Sequence, residues 1–432
     1  MAGDIQSMAQ KAREASFALA AASLETRNRA LEAMARNIEN GIDELLAVNA
    51  EDVAQATAEG LSAPLLNRLK LTRAKCDAMA AGLRSLAALP DPLGHVQYAR
   101  ELVPGLNLYR VSCPIGVVGV IFESRPDALV QIASLCLKSG NAVLLKGGRE
   151  AARTNEMLAG LITRASDACG LPEGWCALLH SREDVQEMLR QHEWIDLVIP
   201  RGSNAFVRYI MQNSEIPVLG HAEGLCHVYV DDPCDLEVAL RVTLDSKAQN
   251  LSVCNAAETL LVHVGIAPDF LPRAAKALAE KGIALRGDER TGAIIRCSPA
   301  TQEDWSTEYL DAVLSIRIVD SLEQAVAHIN RYGSHHTDCI VTSQREHAEF
   351  FMTRVDSADV FLNCSTRFSD GFRYGFGAEV GIATGKLHAR GPMGMEGLCT
   401  YKYRLYGNGQ TLRELEEAKT AFTHREIEPR LP

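Results

Sequence analysis

No stretch of this chain approaches the roughly 20 apolar residues that a helix needs to cross a bilayer, and no Lys/Arg-rich run appears anywhere in it. The first absence argues against a membrane-spanning helix. The second, together with a formal net charge of -11 at pH 7, argues against a nucleic-acid partner, whose phosphates demand clustered cations. The 12 cysteines include no CxxC pair and no Cys/His finger spacing, so a closed structural zinc site has no support. No GxGxxG follows any apolar run, so the usual dinucleotide fingerprint is missing as well. Repeats and low-complexity segments are also absent.

What is there reads as an ordinary globular enzyme. Its 432 residues are 47% hydrophobic and 23% charged, enough for two or three domains with a large core. The start, Met1-Ala2-Gly3-Asp4, is polar and runs into a helix-like stretch. We therefore expect no signal peptide, and reduced thiols in a cytoplasmic protein.

Residues 4 to about 88 read as helices, with apolar positions such as Leu31, Met34, Ala35 and Ile38 at helical spacing. From 117 onward, short apolar runs alternate with amphipathic stretches. Val117–Phe122, Ala142–Lys146, Ala177–Leu179, Ile195–Ile199 and Ile216–Leu219 read as strands. The stretches after Pro126 and over Arg149–Ala168, Glu183–Gln191 and Ser203–Gln212 read as helices. This alternation predicts parallel βαβ units. A second α/β region follows, with strands over Glu258–Val264, Cys339–Thr342 and Val360–Leu362. Its helices fall over Asp235–Gln249, Pro268–Glu280, Asp320–Ile329 and Arg345–Arg354. Residues 371 to 397 then hold eight glycines, a composition suited to loops pressed against ligand or backbone.

Two strand ends offer anion-binding chemistry. Lys146-Gly147-Gly148 and Arg201-Gly202-Ser203 each place a cation and backbone N–H groups before a helix. Either could equally be a simple strand-to-helix turn. Cys254 lies among small residues in Ser252-Val253-Cys254-Asn255-Ala256-Ala257, between a helix and a strand. A thiolate there could attack an acyl carbon, with Asn255 and nearby N–H groups holding the oxyanion. By composition alone it is one cysteine of 12, and most cysteines are small buried hydrophobes.

Longer strings single it out. PIGVVGVIFESRPDALVQIASLCLKSGNAVLLKGGREA, IPRGSNAFV, GHAEGLCHVYVD, VCNAAETLLVH, FLNCSTRFSDGFRYGFGAEVGIATGKLHARGPMGMEGL and TYKY run between about residues 105 and 408. In these the chain resembles the γ-glutamyl phosphate reductases, a branch of the aldehyde dehydrogenase superfamily. The resemblance implies an α/β, aldehyde dehydrogenase-like fold. A Rossmann-like cofactor domain would cover 1–231 with a return segment at about 367–395. It would be interrupted by an oligomerisation hairpin at 102–115, which pairs with Thr400–Tyr406. An α/β catalytic domain would cover 232–366, and an oligomerisation strand and tail 396–432.

The same resemblance implies site residues. Cys254 would be the nucleophile, with Asn255 beside it. Lys146, Gly147 and Gly148 would lie at the cofactor's adenosine ribose, and Arg201, Gly202 and Ser203 at its pyrophosphate. Glu379 would sit near the nicotinamide ribose. Ser124 and Arg125 would line the acyl pocket, and His388 and Arg390 would bind a phosphate or carboxylate. Arg125, Glu379 and His388 could instead be structural partners. The implied reaction is reduction of γ-glutamyl phosphate by NADPH to glutamate 5-semialdehyde, phosphate and NADP+, through a Cys254 thioester, in proline biosynthesis. A homo-oligomer is implied, with glutamate 5-kinase as pathway neighbour. The alternatives are a reductase of another acyl phosphate or acyl-CoA, and a non-catalytic scaffold on the same fold.

Three local features refine this reading. Hydrolytic aldehyde dehydrogenases carry a glutamate base before the acidic pair; counted back from Asp231-Asp232, that place falls at Gly220-His221, with Glu223 a few residues on. Where the resembling family has Arg-Pro before the cysteine, this chain has Asn250-Leu251, while Lys247 and Gln249 remain. His335-His336 with Cys339 suggests metal ligation at first sight, yet no HExxH or closed ligand set surrounds them, and no metal is expected.

Overall fold

The computed structural model describes residues 5–220 and 223–432. Five helices open the chain: α1 (Ile5–Ala21), α2 (Leu24–Asn40), α3 (Ile42–Ala58), α4 (Ala63–Leu69) and α5 (Arg73–Ala88). In α2 the side chains of Leu31, Met34, Ala35 and Ile38 recur at helical spacing and are buried. Ser23 caps this helix by accepting from Thr26 N at 3.1 Å. Strands β1 (Val96–Val103) and β2 (Leu106–Pro114) then form an antiparallel hairpin turning at Pro104-Gly105.

The first parallel sheet contains β3 (Val117–Ile121), β4 (Ala142–Lys146), β5 (Cys176–Leu179) and β6 (Leu197–Pro200) in the order β5-β4-β3-β6. Helices α6 (Pro126–Lys138), α7 (Ala152–Ala168) and α8 (Arg182–Met188) connect them, and α9 (Asn204–Asn213) follows β6. Every residue of β3 and β4 is buried, as expected of a parallel sheet covered on both faces. Lys138, at the end of α6, is wholly buried. It donates to Asn28 Oδ1 at 2.8 Å and to the carbonyls of Ala87 and Leu89 at 3.1 and 2.9 Å, which binds α2, α5 and α6 together. Burial lowers its pKa to about 8.

The second sheet has seven strands, all paired in parallel, in the order β10-β9-β11-β8-β7-β12-β13. They are β7 (Cys226–Val230), β8 (Ala257–His263), β9 (Ala284–Gly287), β10 (Ser298–Pro299), β11 (Val313–Val319), β12 (Thr337–Val341) and β13 (Asp359–Leu362). Helices α10 (Leu236–Ala248) and α11 (Ala267–Glu280) flank it. The glycine-rich segment carries β14 (Gly381–Ala383) and β15 (Gly391–Met393), paired with each other. Val380, Ala383, Ala389 and Met393 from this segment pack into the core around β3 and β4. Strand β16 (Cys399–Tyr406) pairs antiparallel with β2, Thr400 opposite Cys113 and Tyr406 opposite Asn107. A short β17 (Arg425–Glu426) joins the far side of β1.

Three expectations are corrected. Ile216–Leu219 is not a strand: it makes a single bridge, Val218 to Val198, because Pro217 has no N–H to continue the ladder. Cys226–Val230 belongs to the seven-stranded sheet, so a boundary at 231/232 would detach that sheet's own β7. The hairpin is also longer than 102–115, reaching from Val96 to Pro114.

Candidate active site

The carboxyl edge of the four-stranded sheet faces the amino edge of the seven-stranded one, and a cavity of about 260 Å³ lies where they meet. From the first edge come Ile199, Pro200, Arg201, Gly202 and Asn204; from the second come Ser252, Cys254, Glu308 and Leu310. The return segment closes it with Glu379, Gly381, Ile382 and Met393.

Cys254 sits in the turn between α10 and β8, half-buried. Gly224 is pressed against its backbone: a Cβ there would fall 2.1 Å from Cys254 O and 2.6 Å from Cys254 Cα. Only glycine permits that approach. Gly224 N donates to Glu308 Oε1 at 2.9 Å, and Asn204 Nδ2 donates to Glu308 Oε2 at 2.8 Å. Glu308 thus ties the segment beside the thiol to the first turn of α9. Behind the turn, Lys247 and Glu258 form an ion pair at 2.6 Å, both essentially without solvent exposure. Burial pushes Glu258 up to about 7 even though Lys247 opposes it.

The thiol has an imidazole partner. His336 Nε2 lies 3.2 Å from Cys254 Sγ, and His336 is fully buried. His336 Nδ1 lies 2.7 Å from Thr337 Oγ1. With Nδ1–H donating to that hydroxyl, Nε2 keeps its lone pair for the thiol proton. The pairing follows from strand order: β8 and β12 are the two neighbours of β7, so the residues just before β8 and β12 meet across the start of β7. Cys226, the first residue of β7, donates through Sγ to Cys254 O at 3.2 Å. His335 turns elsewhere, its Nδ1 2.5 Å from Asp356 O, and Cys339 Sγ faces Cys364 O. The three residues that suggest a metal in the sequence therefore serve different partners. His336 is the functional residue that reading along the chain misses, because its contact with Cys254 spans 82 positions.

Arg201 and Arg367 each interact electrostatically with Cys254. Burial lowers the pKa of both, with a neighbouring arginine adding to the effect: Arg125 at Arg201 and Arg373 at Arg367. Arg367 Nε donates to Gln249 Oε1 at 2.8 Å, so a guanidinium lies near the thiol although Asn250 occupies the place of the expected arginine. Asn250 Oδ1 accepts from Ser252 N at 3.1 Å.

The other expected residues divide. Arg201, Gly202 and Glu379 line the cavity with Cys254. Glu379 Oε2 accepts from Gly371 N at 2.9 Å. Asn255 commits an amide hydrogen to Ser369 O at 2.7 Å, and its Oδ1 is buried without a partner among the described residues; the contact fastens the return segment to the Cys254 turn. Ser124 donates to Glu150 Oε1 through both N, at 2.7 Å, and Oγ, and so faces Glu150 and not the thiol. Arg125 pairs with Asp127 at 3.1 Å. His388 and Arg390 fall outside the cavity lining. His388 Nε2 is 2.7 Å from Cys399 O, and Arg390 pairs with Asp356 at 3.1 Å, the same carboxylate that Lys386 approaches to 2.7 Å. Cys399 O thus holds His388, and the Asp356 ion-pair group holds Arg390. Of the place expected for a hydrolytic base, His221 lies outside the described residues. Glu223 is paired with Arg208 and does not line the cavity.

The residues expected at a cofactor lie at the ends of β4 and β6. Lys146 is buried at the end of β4, its Nζ donating to Gly147 O. A Cβ at Gly147 would lie 2.1 Å from Asn155 Nδ2 and one at Gly148 2.0 Å from Glu150 Oε1, so each of these side chains would have to turn aside. Ser203 begins α9 without a side-chain cap, and its backbone N–H is met by the Glu123 carboxylate, the place at a helix start where an anion is held. Glu123 reaches this turn, its carboxyl carbon 2.9 Å from where a Cβ on Gly202 would stand. Burial, then Glu150, raises its pKa. Acceptors for ribose hydroxyls and donors for phosphate are thus present together.

A cysteine paired with a histidine between a nucleotide-type sheet and a second α/β sheet defines a thiol-dependent enzyme of aldehyde dehydrogenase architecture. The aldehyde dehydrogenase family model matches residues 1–302. The γ-glutamyl phosphate reductase of Pelotomaculum thermopropionicum is 55% identical over 424 residues, 98% of each chain. That of Acetivibrio thermocellus is 55% identical over 428 residues, 99% of each. The crystal structure of γ-glutamyl phosphate reductase from Thermotoga maritima superimposes with a TM-score of 0.93 at 38% identity, covering 94% of this chain and 99% of that one. Rhodopseudomonas palustris propionaldehyde dehydrogenase, solved with bound CoA and an acylated cysteine, shares the fold at a TM-score of 0.64 and 14% identity, over 93% of this chain and 96% of that one. The chain belongs to the aldehyde dehydrogenase family and, within it, to the γ-glutamyl phosphate reductases.

Proposed function

We propose that this protein reduces γ-glutamyl phosphate to glutamate 5-semialdehyde, releasing phosphate, with Cys254 as nucleophile and His336 as its proton carrier. The 3.2 Å contact between Cys254 Sγ and His336 Nε2 carries the reading.

His336 takes the thiol proton as sulfur attacks the γ-acyl carbon. The C–O bond to phosphate then breaks and a Cys254 thioester forms. Phosphate leaving an acyl phosphate dianion without a proton would be a trianion, a poor leaving group. The imidazolium supplies that proton, so the thiol hydrogen departs with the phosphate as hydrogen phosphate. A nicotinamide cofactor, when bound, supplies the hydride that takes the thioester to the thiohemiacetal level. The C–S bond then breaks, the aldehyde leaves, and His336 returns a proton drawn from solvent to the Cys254 thiolate. Glu308 and Glu379, the carboxylates that line the cavity, each accept from a backbone N–H group, which fits an acyl group kept for reduction.

The preferred cofactor is NADPH. Lys146, Gly147 and Gly148 would bind at its adenosine ribose, Gly202 and Ser203 at its pyrophosphate, and Glu379 at the nicotinamide ribose. The substrate would be supplied by glutamate 5-kinase in the same compartment, the cytoplasm; no helix among the described residues is long and apolar enough to cross a membrane. Two or more copies would assemble through β16, an edge strand that exposes Tyr401, Tyr403 and Leu405. The part of the chain around the first sheet and the return segment would act as the cofactor unit, and the seven-stranded sheet as the catalytic unit.

Comparing acyl donors tests this assignment. NADPH oxidation with γ-glutamyl phosphate and none with acyl-CoA is expected; the reverse pattern would replace it with an acyl-CoA reductase.

A further inference from the structure

We propose that Arg201 holds the phosphoryl group of the acyl phosphate, making one wall of the Cys254 cavity a phosphate subsite distinct from the cofactor's pyrophosphate site. This rests on the acyl-phosphate reading above.

Arg201 is the first residue beyond β6, and its N–H donates to Ile121 O at 2.7 Å. The backbone is thereby fixed to the sheet while the side chain enters the cavity that holds Cys254. The other cations near the site are engaged. Arg125 pairs with Asp127, Arg208 with Glu223 and Lys247 with Glu258, while Arg367 donates to Gln249. The guanidinium of Arg201 has no hydrogen-bond or ion-pair partner among the described residues. Desolvation works against its charge, and Cys254, Glu379 and Asp127 favour it from beyond contact distance. A part-buried cation without a partner, open to the cavity, gains when a ligand completes it.

The chemistry of the cavity selects the ligand. Glu308 and Glu379 also line it, but Glu308 accepts from Gly224 N and Asn204 Nδ2, and Glu379 from Gly371 N. Among the described residues that line the cavity, Arg201 is the one lysine or arginine, and so its cationic donor for an incoming anion. Its planar fork suits two phosphate oxygens at once. Charge builds on the phosphate as the S–C bond forms and the C–O bond breaks, so this contact strengthens during the acyl transfer that His336 serves with its proton.

Two measurements on the full-length protein decide the matter. The first needs no cofactor: alkylation of Cys254 by iodoacetamide, followed by mass spectrometry, with and without inorganic phosphate. Phosphate should slow alkylation of the wild type severalfold and leave Arg201→Gln unaffected, with Arg201→Lys in between. The second is the reverse reaction, with glutamate 5-semialdehyde, phosphate and NADP+. Arg201→Gln should raise the phosphate KM about ten- to a hundredfold, the weight of one charge-assisted hydrogen bond, with the NADP+ KM within about twofold of wild type. A raised NADP+ KM with the phosphate KM unchanged would return Arg201 to the pyrophosphate site and overturn the proposal. So would equal phosphate protection of Cys254 in wild type and Arg201→Gln, or none in either. If the wild type shows protection but no phosphate-dependent turnover, the substrate assignment fails while the anion subsite stands.

Discussion

His336 and Cys254 meet side chain to side chain, Nε2 to Sγ at 3.2 Å, although 82 positions separate them. The pair gives His336 a proton to carry in both halves of the reaction. Replacing it by alanine should lower kcat about 100- to 10,000-fold, the range for loss of a positioned acid–base group. A merely structural role would not alter the pH dependence of Cys254 alkylation. The exchange of its proton with His336 predicts that the alkylation profile changes in His336→Ala while circular dichroism stays native. An unchanged profile would remove His336 from the proton path.

Gly224 sets where the thiol stands. A Cβ at 224 would lie 2.1 Å from Cys254 O, so Gly224→Ala must push the Cys254 turn aside. Overpacking of this kind costs about 1–3 kcal/mol, and a displacement near 1 Å costs about 100-fold in rate. A lowered Tm together with a collapsed kcat is expected, measured by thermal unfolding and steady-state turnover. Wild-type turnover in this variant would show that the turn has slack.

The buried Lys247–Glu258 pair gives a pH-dependent expectation. Burial raises the Glu258 carboxyl from 4.5 to about 7, against the pull of Lys247. The folded protein therefore binds a proton that the unfolded chain has released between those values. Glu258's contribution to stability is fully present below about 4.5 and is lost as pH rises to about 7. Lys247→Met removes the counter-charge and should destabilise by about 3–5 kcal/mol at pH 8, less at pH 5. Urea unfolding at the two pH values checks the sign; equal losses at both would contradict it.

Much of the fold was legible because its signals are local. The Ala/Leu-rich helices before 88 carry their own periodicity, the strand at Val117 is marked by an unbroken apolar run, and the hairpin with its β16 partner followed from the resemblance. Cys226–Val230 escaped notice because the run is short and His227 interrupts it, and its place beside β8 and β12 is set by distant strands. Cys254 was marked by the string around it. His336 was not, since its neighbours His335 and Cys339 pointed to metal, and only the placement of β8 and β12 on either side of β7 brings it to the thiol. His388 and Arg390 were read from charge and motif position, but Asp356 and Cys399 O, which hold them elsewhere, lie 34 and 11 positions away.

Cys254→Ser retains the shape of the site but replaces the thiol, the only change needed to stop thioester chemistry. Turnover should fall to background while the fold and cofactor binding persist, as read by circular dichroism and NADPH fluorescence. Residual turnover near wild type would rule out the covalent route.

The most direct measurement runs the reaction backward with purified protein, following NADP+ reduction by glutamate 5-semialdehyde as inorganic phosphate is varied. No turnover without phosphate, saturation as phosphate rises, and γ-glutamyl phosphate as product are expected. Phosphate-independent oxidation of the aldehyde to glutamate would contradict this, since the Cys254 thioester would then be passing to water.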